Sequence, residues 1–122
     1  MSKKFYKQTQ PFIVPTEDGK AIKEHFGLAS TNEDKYSVAH MIAPSGWSEP
    51  FQIPTFDEVT FMIKGKKKIV IDDQEVIILK AGESLLIKKD CRVQYSNPFE
   101  EVAEYVSICV PAFSIDSVNR ED

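Results

Sequence analysis

Few side chains in this sequence have the type and placement to do chemistry. Glu58 opens the apolar segment Glu58–Lys64, and Tyr95 lies within Arg92–Ser96. Alternation along a strand puts residues two apart on one face. An inward Glu58 therefore brings Thr60 and Met62 with it, and an inward position 93 brings Tyr95. A carboxylate drawn into an apolar interior has its charged form disfavoured, and a phenol beside it can donate a hydrogen bond or a proton. The pair suits acid–base catalysis, with Glu58 and Tyr95 as the catalytic groups. It also suits a ligand pocket, or a carboxylate simply tied to a hydroxyl or to His40. Gln52 and Thr60 add neutral hydrogen-bonding groups. Of the two histidines, His25 and His40, only His40 is close to this region. It shares a face with Tyr36, Val38 and Ile42, as a site residue or as a satisfied core histidine. Trp47, Phe51 and Phe56 either roof a ligand or pack between subunits, with the subunit contact favoured slightly. The ligand-binding candidates are thus His40, Trp47, Gln52, Glu58, Thr60 and Tyr95. Cys109 would need a base within reach to act as a nucleophile.

Short strands must position these groups. Tyr36–Ile42 closes at Pro44-Ser45-Gly46, and Glu58–Lys64 ends at Gly65. Lys67–Ile71 and Glu75–Leu79 are joined through Asp72 and Asp73, which is a hairpin signature. Ser84–Ile87 follows Ala81-Gly82, Arg92–Ser96 ends at Asn97-Pro98, and Val102–Val110 ends at Pro111. Strands of this length, cut by Gly, Pro, Asn and Asp, predict an all-β sandwich or barrel. On the last strand Tyr105, Ser107 and Cys109 share one face, and the sequence leaves open whether that face or its opposite lines an interior. Phe12–Val14 reads as a strand lying on the barrel, Lys20–Phe26 as a strand or one helical turn. Ser114–Arg120 reads as a short helix with Ser114 and Asp116 as caps.

At 122 residues the chain is expected to be one domain, burying roughly two-thirds of the surface its unfolded form exposes. The net charge of −4 offers no surplus for a phosphate backbone, so no nucleic-acid partner is expected. The one basic run, Lys64, Lys66, Lys67 and Lys68, reads as a solvated strand start, with an anion patch as the alternative. Two cysteines, Cys91 and Cys109, make no disulfide framework. The N-terminal residues lack a signal-peptide pattern, and no apolar run approaches the ~20 residues that span a bilayer. A cytoplasmic protein with no membrane partner is the expectation.

Two glycine-anchored frames run through residues 46–97. The first is Gly46, Gln52, Pro54, Glu58, Gly65; the second is Gly82, Lys88, Asp90, Val93, Asn97. Their order and spacing, with a hairpin between them and one more strand after, resemble the two motifs of the cupin family. The resemblance implies a jelly-roll-like double-stranded β-barrel over 36–111, with an N-terminal arm (1–35) and a tail (112–122) ending in a short helix. In that family three histidines and a glutamate hold a metal in the barrel mouth. Carried over, Gln52, Pro54 and Val93 stand where the histidines would be, and Glu58 alone survives. The run Phe56-Asp57-Glu58-Val59-Thr60 and the tail from Pro111 are similar to small cupins like those of ethanolamine-utilisation protein Q.

The expected function is small-molecule binding without a metal or other cofactor. One alternative is a metal-free acid–base enzyme of isomerase or epimerase type using Glu58 and Tyr95. Another is an atypical metalloenzyme using His40, Glu58 and Gln52. Small cupins commonly dimerise, so a homodimer is expected.

Overall fold

The computed structural model describes residues 4–121. In chain order the elements are β1 (Phe12–Val14), β2 (Ala21–Phe26), α1 (Leu28–Thr31), β3 (Ser37–Ala43), β4 (Trp47–Ser48), β5 (Asp57–Lys64), β6 (Lys66–Ile71), β7 (Glu75–Lys80), β8 (Ser84–Ile87), β9 (Val93–Asn97), β10 (Ala103–Val110) and α2 (Ile115–Val118). They form two antiparallel sheets, ordered β1-β2-β3-β10-β5-β8 and β4-β9-β6-β7. The jelly-roll barrel expected from the glycine frames is present, as is the short C-terminal helix. Within residues 20–26, compatible with a strand or a helical turn, Ala21–Phe26 form a strand because they pair with β3 along most of their length. The arm thus extends the larger sheet. The single turn α1 is too short to leave a helical period in the sequence.

The inward faces of the two sheets share one core. Ala43, Met62, Ile87, Ala103 and Tyr105 come from the larger sheet, and Trp47, Ile69, Leu79, Val93 and Tyr95 from the smaller. Apolar burial of this kind is the main favourable term for the fold. Among the described residues no helix is long and apolar enough to cross a membrane.

Turns sit where the sequence permits left-handed backbone. Asp72 and Asp73, with φ of 52° and 58°, are the central residues of the turn Ile71–Gln74 that closes the β6–β7 hairpin, a turn that needs left-handed backbone at both. Asn97 is fully buried, and its Nδ2 donates to the carbonyls of Ala43, Pro44 and Glu101. That one amide ties the ends of β3, β9 and β10 together.

A second cluster, Phe56, Cys109 and Val118 with Phe113 against it, closes one end of the barrel. Here the tail returns across the loop before β5. Ser117 Oγ accepts the Ser114 N–H at 3.1 Å, capping α2 as its sequence suggests. The Thr55 N–H then donates to the Ser117 carbonyl at 2.9 Å, and the Glu121 N–H to the Phe51 carbonyl at 2.8 Å. These bonds set Arg120 over the barrel mouth.

Gly46 and Gly65 have similar φ, 84° and 75°, but different surroundings. A Cβ at Gly65 would lie 2.4 Å from the Val102 carbonyl oxygen, whereas one at Gly46 meets nothing within 4 Å. Gly46→Ala should cost about 1 kcal/mol for the left-handed backbone alone. Gly65→Ala should cost about 2 kcal/mol more, because backbone must move. Urea unfolding of the two variants side by side measures the difference; equal losses would mean the Gly65 turn relaxes freely.

Candidate functional site

The inward faces of β3, β5, β6, β9 and β10 enclose a cavity of about 110 Å³ toward the tail end of the barrel. A single water needs roughly 10–15 Å³ of such space, so there is room for a small organic molecule. Glu58, Lys67, Tyr95, Tyr105, Ser107 and Cys109 supply most of its chemistry. The face of β10 left open by the sequence is therefore settled: Tyr105, Ser107 and Cys109 point in.

Glu58 is partly buried on β5, and hydroxyls hold both of its oxygens. Tyr95 Oη donates to Oε1 at 3.3 Å, and Ser107 Oγ donates to Oε2 at 3.0 Å. Burial, aided by the negative charge of Glu58, keeps the Tyr95 phenol well above its usual range. The same two influences, with Glu49, raise Tyr105. Both are neutral donors at physiological pH. Tyr105 Oη has no hydrogen-bond partner among the described residues although it is fully buried. Burial also pushes the Cys109 thiol far up, so no thiolate is present for nucleophilic attack.

Lys67 corrects the expectation of a solvated basic run. Its neighbours Lys66 and Lys68 do flank it, but β6 alternation turns Lys67 inward with Ile69, and it is only 2% exposed. Its Nζ stands 4.2 Å from the Tyr95 ring centroid and 3.8 Å from that of Tyr105. Ring faces attract a cation but accept no conventional hydrogen bond. Desolvation drags the ammonium down from 10.5 to about 8, and the charge of Glu58 opposes part of that drop.

Charged groups ring the mouth. Glu49 is buried, 3.4 Å from both Lys20 Nζ and Arg120 Nη2. Arg120 also reaches Gln52 Oε1 at 3.5 Å. Lys20, Glu49 and Arg120 form a shared wall between the cavity and an outer groove of about 510 Å³.

The structure brings Glu58, Tyr95 and Gln52 to the cavity wall and leaves other candidates aside. Thr60 shares the face of Glu58 and is buried, but it lies beyond the wall. His40 faces away on the outer side of β3, where Nε2 meets Glu104 Oε2 at 2.7 Å. It contacts neither Glu58 nor the cavity. Trp47 is buried and donates from Nε1 to Asp18 Oδ2 at 2.7 Å, with Lys20 Nζ 4.4 Å from its ring centroid. Phe56 is also buried, and Phe51 stacks under Arg92. Phe56 lines the cavity whereas Trp47 and Phe51 do not, so the three do not act together as one roof. Lys67, Glu49, Lys20 and Arg120 escaped the sequence reading, and Tyr105 was left on a face of undecided side. Only Lys67 left a local signal, its alternation with Ile69 and Ile71.

The residues present do not fit the metal of histidine-bearing cupins. Pro54 and Val93 carry no ligand atom, the Gln52 amide faces Arg120, and both Glu58 oxygens are engaged by hydroxyls. Among the described residues no three His, Cys, Asp or Glu side chains gather in a way that could hold an ion.

Residues 48–114 match the family described as ethanolamine utilisation protein EutQ. The chain belongs to the EutQ family. A curated relative, endoribonuclease YbeY of Myxococcus xanthus, is 42% identical over 109 residues, which is 89% of this chain. The chain spans only 37% of that protein. Among solved structures, oxalate decarboxylase from Bacillus subtilis superposes with a TM-score of 0.78 at 16% identity, over 94% of this chain and 31% of that one. The nucleoside dehydratase Pac13, from Streptomyces, gives 0.75 at 13%, over 98% and 92%. An RmlC-like cupin from Shewanella frigidimarina gives 0.72 at 15%, over 91% and 93%. The EutQ-family chain therefore has the cupin fold.

Lys67 fixes a pH dependence whose sign is determined. With a folded value of about 8 against 10.5 unfolded, the folded chain binds fewer protons between those limits. Stability then rises with pH through the window. Relative to Lys67→Met, the wild type should gain about 1 kcal/mol per pH unit near pH 9. Urea unfolding of both proteins from about pH 8 to 9.5 reads this slope; a flat difference would mean that Lys67 is solvated.

Proposed function

We propose that this EutQ-family chain binds a small, oxygen-bearing organic molecule inside the barrel without a metal ion. The observation that carries the reading is a cavity whose wall holds a buried hydroxyl, Tyr105 Oη, with no partner among the described residues, and beside it the Lys67 amine, held over two ring faces. Buried donors are ordinarily paired. A ligand offering acceptor oxygens would pair both, while Glu58 takes a donor group.

A second reading, an acid–base enzyme, is favoured by the hydrogen bonds from Tyr95 and Ser107 to Glu58. They connect exchangeable protons around one carboxylate, as proton transfer to a bound substrate requires. That Pac13, of the same fold, is a nucleoside dehydratase supports elimination chemistry by analogy alone. The endoribonuclease name of the Myxococcus relative gains no support from the charge balance of this chain, −4 overall.

Binding is tested by thermal shift against a panel of small hydroxy, oxo and carboxylic compounds. A bound compound at 100 times its Kd should add about 2.7 kcal/mol of stability. Glu58→Gln should weaken binding about tenfold or more through loss of a charge-assisted hydrogen bond. If the compound is turned over, the same substitution should abolish turnover, which separates enzyme from binder. A panel in which nothing moves the wild-type melting curve would sink the reading.

We also propose a homodimer through the outer face of the larger sheet. Phe61, Ile63, Leu86 and Val110 project from that face and are exposed, Phe61 by 48% and Leu86 by 52%. An apolar strip across adjacent strands is a common interface signature. Light scattering should give twice the chain mass for the wild type and a single chain for Phe61→Asp; a monomeric wild type would refute the dimer.

A further inference from the structure

Lys67 is an unusual lysine in its position rather than its type. Lysines are almost never fully buried unless paired, and burying a charge without hydrogen bonds is costly. Here no ion pair or hydrogen bond to Nζ exists among the described residues. Two aromatic faces, Tyr95 and Tyr105, hold the amine at fixed positions 4.2 Å and 3.8 Å from their centroids. The cavity beside it is mostly apolar, lined by Ile22, Ala39, Met41 and Phe56 as well as the polar groups named above. Lys66 also lies over a ring, Phe99 at 5.2 Å, but it is exposed and outside the cavity.

We infer that Lys67 is a nucleophile that forms a Schiff base with a small aldehyde or ketone bound in the barrel cavity. The inference rests on the ligand-binding reading above and names its ligand class. In the step, the neutral Nζ attacks the carbonyl carbon, a C–N bond forms and the C=O π pair moves to oxygen. That oxygen is protonated while nitrogen loses a proton, giving a carbinolamine. Departure of the hydroxyl with a proton as water, and loss of the remaining N–H proton, leaves the imine. Amine and carbonyl become imine and water, with no change of oxidation state. The residues needed are present on the same walls. Tyr105 Oη, unpartnered, is a hydrogen-bond donor for the carbonyl oxygen. Glu58, with its two hydroxyl donors, can accept the proton that nitrogen releases. Desolvation supports the assignment, since a value of about 8 leaves a substantial neutral fraction of the amine in mildly alkaline solution.

Reductive trapping tests this. The full chain is incubated with propanal and sodium cyanoborohydride at mildly alkaline pH, and propylation is mapped by proteolysis and mass spectrometry. Lys67 should be modified about tenfold faster than its neighbours Lys66, exposed, and Lys68, half-buried, because a larger share of its amine is unprotonated. Lys67→Arg keeps the charge and should lose the fast adduct alone. The wild-type map decides even if that variant does not fold. Modification spread over surface lysines with Lys67 untouched overturns the inference. A compound that raises the melting temperature with no Lys67 adduct also overturns it, while leaving the ligand-binding reading standing.

Discussion

Period-two alternation across two facing sheets is the constraint on which the rest of the barrel depends. Each strand commits alternate residues to the interior whatever their chemistry. On β5 this takes in Glu58, Thr60 and Met62; on β6, Lys67 and Ile69; on β9, Val93, Tyr95 and Asn97; on β10, Tyr105, Ser107 and Cys109. At the far end from the tail these faces are apolar and close on each other. Toward the tail the same periodicity delivers a carboxylate, an amine and hydroxyls to one space. The site is therefore a product of register and cannot be shifted by one residue without turning the whole core outward.

Polar groups carried inside are compensated by unequal means. Glu58 receives two hydroxyl hydrogen bonds, and Glu49 lies between two cations at the mouth. Asn97 spends its amide on three carbonyls and is wholly structural. Lys67 has ring faces and the more distant charge of Glu58. Satisfied networks rigidify a core, whereas an incompletely satisfied group is where strain or function collects. By that measure the functional weight of the interior falls on Lys67 and Tyr105, with Glu58 as their counterpart.

Much of the fold was legible in the sequence because turn chemistry is local. Gly46, Gly65 and Gly82 all adopt the positive φ that their places at strand ends imply, and the Asp72-Asp73 hairpin and the Ser114 cap stand where residue type puts them. The site was legible only in part. Glu58 and Tyr95 meet as alternation requires, but His40 lies on the wrong parity of β3, sharing the outer face with Val38 and Ile42. Lys67 was hidden by its charge: a run of lysines reads as solvated unless parity with Ile69 is weighed against it. Glu49 and Arg120 lie far apart in sequence and meet only because the tail folds back over the loop before β5. No local pattern encodes such a meeting.

The ion-paired wall of Lys20, Glu49 and Arg120 between cavity and groove has a kinetic consequence. A molecule entering by the outer groove meets these pairs first, while the groups that would hold it lie deeper. Mobile ions screen charges near the surface far more than buried ones. Added salt should therefore free Arg120, 41% exposed, and leave the buried Lys20–Glu49 pair and the resting place little changed. Exchange would quicken in both directions with ionic strength, at nearly constant equilibrium occupancy.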